Sequence, residues 1–397
     1  MYAYTFNYMR DQSNGAIENI RFSNTGIDYL LHQGEVNTDT IAVEIIKKEN
    51  QIIKVHLSHW GIFEKAYTLS QFRKKKFVKT ALIGSSINSQ ESPTLFLQET
   101  QTPLTLVGST QIKGLAYLPS QGVKSGYIAG NSYYGNQLIY GSINTSTPIL
   151  PKLNKICIDA LESYCNGYKP QNQEDYINVE TSRRIVNSFQ KKTKIGYSKE
   201  SIVLENCNII GNIIIKSDVS INIKNTANLK DIILIAPIIE IEDGTTGNFQ
   251  AIATQRIAVG KTCKLDYPSA LVLFQDNKNN PKLAINPPLD NQIFIDSTTT
   301  IKGSVCYFRT KEYPDFKTQI VLETKSRIKG QVYCTGNFEL KGSVSGSVYT
   351  KQFIANQAGS IFINHIYNGT IENENIPIVF GGIVLEQTPK TIMKWLY

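Results

Sequence analysis

Apolar positions change their spacing twice along this chain. Between residues 11 and 33, Ile17, Ile20, Ile27, Leu30 and Leu31 recur at helical intervals. The polar stretch Ser23-Asn24-Thr25-Gly26 interrupts them, so the spacing predicts a broken helix. From residue 40 to 68 the period drops to two: Ile41, Val43 and Ile45, then Ile53, Val55 and Leu57, then the run from Ile62 to Tyr67. Such runs, parted by Lys47-Lys48-Glu49-Asn50, predict a hairpin or small antiparallel sheet. A second helix is expected at 153–164.

Beyond residue 201 the text is a succession of short apolar runs separated by polar turns, as at 209–215, 229–235 and 270–274. One unit recurs with its glycine fixed: Ile301-Lys302-Gly303-Ser304-Val305, Ile328-Lys329-Gly330-Gln331-Val332 and Leu340-Lys341-Gly342-Ser343-Val344. Ser345-Gly346-Ser347-Val348 is a shortened form and Ile112-Lys113-Gly114-Leu115-Ala116 a distant echo. Recurring strand-turn units bury a continuous core only by stacking on one another. The apolar residues of each unit sit four apart and so face one side of a strand, which turns the lysine outward. These features predict a mainly β protein built as a right-handed parallel β-helix, with a sandwich as the alternative.

The expected organisation is an N-terminal α+β region at 1–92, a β-helix at 93–370 and a tail or cap at 371–397. The segments 94–97, 104–108 and 112–117 read as the first β-helical turn. A mixed insertion follows at about 121–201, rich in Gly, Asn and Tyr. Eighty structureless residues are improbable inside a compact domain, so short helices are expected there.

Composition adds little to this: 41% hydrophobic and 19% charged residues make an ordinary globular balance. Charge is more informative. Of 41 Lys and Arg and 33 Asp and Glu, 20 and 18 fall from residue 195 onward, leaving net +6 before that point and +2 after it. The basicity gathers at Arg73-Lys74-Lys75-Lys76 with Lys79, and between Arg183 and Lys194. Nucleic-acid binding would need aromatics interleaved with such a stripe, and Phe72 and Phe77 only flank the first run, so nucleic acid is not expected as a partner. A solvated loop or a site for an acidic partner fits better. The six cysteines show no CxxC spacing, and a local Cys157–Cys165 disulfide is an open alternative. The apolar run 232–239 is too short to span a bilayer, and residues 1–9 have no signal-peptide pattern.

The stretch from Arg327 to Thr350 resembles bactofilins and related polymer-forming β-helices, whose coils repeat an Ile-x-Gly-x-Val core; the likeness covers about 70 residues. More broadly the chain resembles bacterial envelope proteins in which a membrane-anchoring helix precedes a pilin-like lead-in and a β-helix. The residues that carry this are Thr25-Gly26-Ile27-Asp28-Tyr29-Leu30-Leu31, Trp60-Gly61-Ile62-Phe63, Tyr117-Leu118-Pro119, Gly122-Val123-Lys124-Ser125-Gly126-Tyr127-Ile128 and Lys394-Trp395-Leu396-Tyr397. The resemblance implies a non-enzymatic scaffold of the bacterial cell envelope, with protein partners or self-association. Membrane attachment would come only through an anchor that this sequence lacks.

Candidate chemistry is sparse. Four histidines, with His56 and His59 on opposite sides of a strand, give no metal set. Glu240 and Glu242 project from one strand face with Asp243 at the next turn, a weak acidic cluster that would suit Ca²⁺ or acid–base chemistry but reads first as a solvated face. Tyr127, Tyr133 and Tyr134 offer rings for stacking, and with Arg73, Lys74 and Lys75 they form the candidate interaction surface. No phosphate loop is present and no cofactor is expected. The competing reading is a polysaccharide lyase or hydrolase, or a non-catalytic polysaccharide-binding module.

Overall fold

Three glycines fix the register of the molecule. The computed structural model describes residues 2–33, 36, 39–43, 51–87, 92–168, 175–179, 182–275, 291–310, 316–373, 376–377, 379–386 and 388–397. The chain is mainly β, as the alternation predicts. Gly303, Gly330 and Gly346 lie side by side in parallel strands. Their φ angles are +142°, +141° and +144°. A Cβ on Gly330 would sit 2.0 Å from the Gly303 carbonyl oxygen, so only glycine lets each pass of the chain bend this close to the one before. Replacing Gly330 by Ala is expected to cost at least about 2 kcal/mol, read as a lowered melting temperature.

Around these glycines the aliphatics line up. Ile301, Ile328, Val344, Ile371 and Ile112 form one row of parallel partners. Val305, Val332, Val348, Leu95 and Ala116 form another. Every one of these residues is fully buried in a shared interior. The second row extends back through Leu271, Ala251, Leu234 and Ile215. The unit boundaries differ from the expectation in one respect. Gly330 pairs with Gly346, not Gly342, and Leu340 pairs with Leu322 on the neighbouring strand. The shortened unit thus carries the repeat, led by Val344.

The order of passes also differs. The segment expected as a first turn does not lead into the run that begins at residue 202. Instead Leu95–Leu97 pairs with residues 348–350, and Gln111–Lys113 with residues 370–372. The expected insertion begins with Val123–Ser125, which pairs with Leu104–Val107 in a separate small sheet, and Ile143–Thr145 then adds to Ala116–Leu118 of the large one. Helix α2 (Lys155–Asn166) follows, two residues later than expected at each end and capped by the Asn154 side chain, which accepts from Ile156 N at 3.1 Å. The chain rejoins the sheet at Arg184–Asn187, which pairs with Asn208–Gly211 at the other end of the series. Traced through all its partners, this largely parallel sheet closes on itself.

The N-terminal unit is a helix on an antiparallel sheet. Helix α1 runs unbroken over Tyr2–Gln33, nine residues earlier than the apolar spacing indicates. Strands β1 (Ile41–Ala42), β2 (Gln51–Trp60), β3 (Phe63–Phe72) and β4 (Lys75–Ser86) pair in sequence, and α1 packs on the last three. The supposed break at Ser23–Gly26 is the packing face itself. Ser23 Oγ lies 3.1 Å from Ser70 Oγ, and Ser70 Oγ donates to Asn19 O at 2.8 Å. Gly26 lets the helix down onto Ile53, Val55 and Thr68, where a Cβ would already be tight. Phe22, Ile27 and Leu30 are buried, whereas Ile17 and Ile20 are exposed. The expected turn at Lys47–Asn50 falls outside the described residues.

The C-terminal stretch, expected as a tail or cap, belongs to this same sheet. Lys390–Leu396 runs antiparallel to β4, and Gly381–Gly382 pairs with Ser85 and Ser86. The parallel region is therefore inserted between two strands of one small sheet. Outward-facing glutamines tie the two together. Gln250 Nε2 donates to Trp60 O (2.8 Å) while its Oε1 accepts from Ile62 N (2.9 Å), and Gln331 Oε1 accepts from Ile383 N (2.7 Å). Lys394 Nζ lies 2.6 Å from an Asp231 carboxylate oxygen. With the sheet and α2 packed outside it, the parallel region buries both faces of strands such as Ala270–Phe274, which explains their uninterrupted apolar text.

Candidate functional site

The predicted interaction residues fall in two separate places. Arg73, with φ +56°, and Lys74 form the turn between β3 and β4, and Lys75 opens β4. This turn is tied to α1: Lys75 Nζ donates to Gln12 O at 3.3 Å, and Asn19 Nδ2 donates to Lys75 O at 3.1 Å. Phe22 and Phe72 pack with ring centroids 6.4 Å apart, and the Arg73 guanidinium lies 5.3 Å from the Phe72 ring centroid. The sheet ends here. The helix does not.

Residues 2–10 of α1 extend past the basic turn, with Tyr2, Tyr4, Phe6, Tyr8 and Met9 between 58% and 94% exposed. Sequence reading missed this element, because the early rings follow no helical stripe. At about 100° per residue, positions 2, 4, 6 and 8 fall on alternate sides of the helix. The cue available was the density of aromatics in a segment lacking turn residues.

The tyrosine cluster lies elsewhere, on the strands that follow Ala116–Leu118. Tyr127–Ile128 and Asn131–Ser132 form a tight antiparallel pair. Tyr127 and Tyr134 are exposed, the latter donating to Asn131 Oδ1 at 2.9 Å. Tyr133 instead packs against the interior cluster, and burial raises its phenol pKa. Only two of the three rings are free to stack.

The acidic cluster lies on an uncovered face of the parallel sheet. Outward residues Asn222, Glu240, Ala258 and Phe294 are consecutive parallel partners. Small Ala258 and Gly260 leave a hollow of about 370 Å³ bordered by Glu240, Glu242, Arg256, Phe294 and Asp296. Glu242 is already engaged, accepting from Lys224 Nζ (3.3 Å) and Asn225 N (3.0 Å), contacts that hold its pKa below the usual carboxylate range. Asp243 accepts from Lys261 N at 2.7 Å. Among the described residues no group of three or more His, Cys, Asp or Glu is placed to hold a metal ion.

Cys157 and Cys165 are both free thiols, Cys157 buried with its Sγ 3.8 Å from Ile62 O. Burial pushes the Cys157 thiol up to about 12, a protonated packing group rather than a nucleophile. Among the described residues no helix is long and apolar enough to cross a membrane.

No family model matches the sequence, and no curated protein matches it significantly. Among solved structures, the competence-associated pilin ComZ from Thermus thermophilus aligns over 96% of this chain and 96% of its own, at 9% identity and a TM-score of 0.27. That superposition is too loose to establish a common fold.

Proposed function

We propose that the chain is a non-enzymatic structural subunit of a bacterial envelope or surface assembly, self-associating through the projecting end of α1. The parallel region is read as a right-handed parallel β-helix, the hand that parallel crossovers adopt in nearly all cases. It serves as a rigid rod, held to the α1 sheet by Gln250, Gln331 and the Lys394–Asp231 pair. The resemblance of residues 327–350 to bactofilins and of the lead-in to pilin-like proteins points the same way.

One observation carries the reading. A helix segment with exposed aromatic rings on two opposite sides is stable in water only at a cost in apolar surface, and exposed apolar surface of this kind marks association. Rings on opposite sides of a helix suit contact with other helices on both sides better than a one-sided groove. Sedimentation of the full chain over a concentration series is expected to show oligomers that vanish when residues 2–9 are deleted. A monomer at every concentration would refute self-association.

The hollow beside Glu240 supports a second reading, a polysaccharide-binding face. Its test is glycan binding by the full chain, compared with Glu240→Gln/Glu242→Gln. Cleavage of a glycan that this double variant loses would overturn the non-enzymatic assignment.

A further inference from the structure

We infer that the end of the molecule formed by the β3–β4 turn and the projecting part of α1 docks on an anionic phospholipid bilayer surface, which competes with self-association for the same exposed rings. Four consecutive cations, Arg73, Lys74, Lys75 and Lys76, are exposed at the turn, and Arg10 is exposed on the helix just before the point where Lys75 grips Gln12. Asp11 is the one acidic side chain in the helix segment 2–12, and Glu18, about two turns further along, is already paired with Arg21 at 3.4 Å. The net charge of this end is strongly positive. Beyond it the helix continues over residues 2–10, roughly 14 Å at about 1.5 Å per residue, carrying three Tyr, one Phe and one Met.

The two features select one partner chemistry. A cationic turn alone would suit any polyanion. Exposed tyrosine and phenylalanine on both sides of the helix, next to that turn, match the layered chemistry of a bilayer interface. Rings settle at the headgroup level with their hydroxyls hydrated, and lysines and arginines meet the lipid phosphates. No described helix is long and apolar enough to cross a membrane, and the segment is placed in the interface.

The experiment is flotation of the full chain with phosphatidylcholine vesicles and with mixed phosphatidylglycerol–phosphatidylcholine vesicles, with protein alone as the control for self-assembly. Binding to the anionic vesicles only, weakening as salt rises, is expected. Arg73→Gln/Lys74→Gln/Lys76→Gln, which spares the Lys75–Gln12 contact, is expected to lower that binding by about 100-fold, from roughly five-fold per cation near the surface. Circular dichroism should show its fold unchanged. Tyr4→Ser/Phe6→Ser is expected to weaken binding with the charges intact. Equal binding to neutral vesicles, no binding, or binding that polyglutamate abolishes and Tyr4→Ser/Phe6→Ser leaves untouched would each overturn the inference. The last outcome would identify an acidic polymer as the partner.

Discussion

Val332→Asp is expected to abolish cooperative folding of the parallel region. Val332 is fully buried, with Val305 and Val348 as its direct parallel partners, so the new carboxylate meets aliphatic groups on both sides and no donor. Burying an unpaired charge is costly enough that the group takes up a proton instead, and the neutral acid still lacks a hydrogen-bond partner. The loss should exceed about 4 kcal/mol, near the upper limit for a single substitution. Lys329→Asp, three residues earlier on the outward side of the same strand, should change stability by less than about 1 kcal/mol. Thermal unfolding of the two variants reads the register directly. Similar melting temperatures would mean that the inward row is misassigned.

That register was legible because it rests on local chemistry. A β-branched residue, a glycine and a second β-branched residue at fixed intervals require a buried row and a bend, whatever else the chain does. The error of one unit, Gly342 in place of Gly346, has a physical origin. Leu340-Lys341-Gly342 satisfies the same pattern, and only pairing partners distinguish a glycine at a bend from one in the following turn. The order of passes was not legible at all. Nothing in Leu95-Phe96-Leu97 says that its partner is Val348 rather than a residue just downstream, since any apolar row accepts any other. The same holds for Lys390–Leu396, a seven-residue strand whose partner β4 lies about 300 residues earlier.

The candidate site divides similarly. The basic turn was visible as a run of charges, and its neighbourhood was not, because the helix beside it was expected to start at residue 11. A polar stretch at Ser23–Gly26 looks like a helix break when helix faces are assumed to pack through aliphatics alone. Here Ser23 and Asn19 pack through hydrogen bonds to Ser70 and Lys75, and Gly26 through close approach. Glu240 and Glu242 were read as outward-facing neighbours, and the structure places them so; that Lys224 occupies one of them depends on the strand below.

Lys390→Met should destabilise the protein by about 3–5 kcal/mol at neutral pH, and the deficit should shrink toward acid. Glu64 is 1% exposed, and Lys390 Nζ lies 2.7 Å from its Oε2, so the ammonium supplies the opposite charge for a carboxylate buried in the sheet. Burial already raises the Glu64 pKa, and Lys390 opposes that rise. Without the lysine the pKa climbs further. A carboxyl whose folded pKa exceeds its unfolded value gains stability as pH falls through the folded pKa, because the folded state then holds more protons. His59, the cross-strand partner of Glu64, acts in the opposite sense. Burial first, and then the Lys390 charge, lower its pKa from 6.5 to about 4. The unfolded chain therefore takes up a proton that the folded one refuses, and the unaltered protein loses stability as pH falls from about 6.5 toward 4. Removing Lys390 lifts part of the restraint on His59 and so lessens that acid loss. Both changes narrow the gap between variant and parent between neutral pH and about pH 5. Glu64→Gln added to Lys390→Met should recover part of the stability at neutral pH, since no buried charge then remains. Urea unfolding of the parent and the two variants across that range provides the measurement. A gap that stays constant or widens toward acid would show that the Lys390 charge does not govern Glu64 and His59.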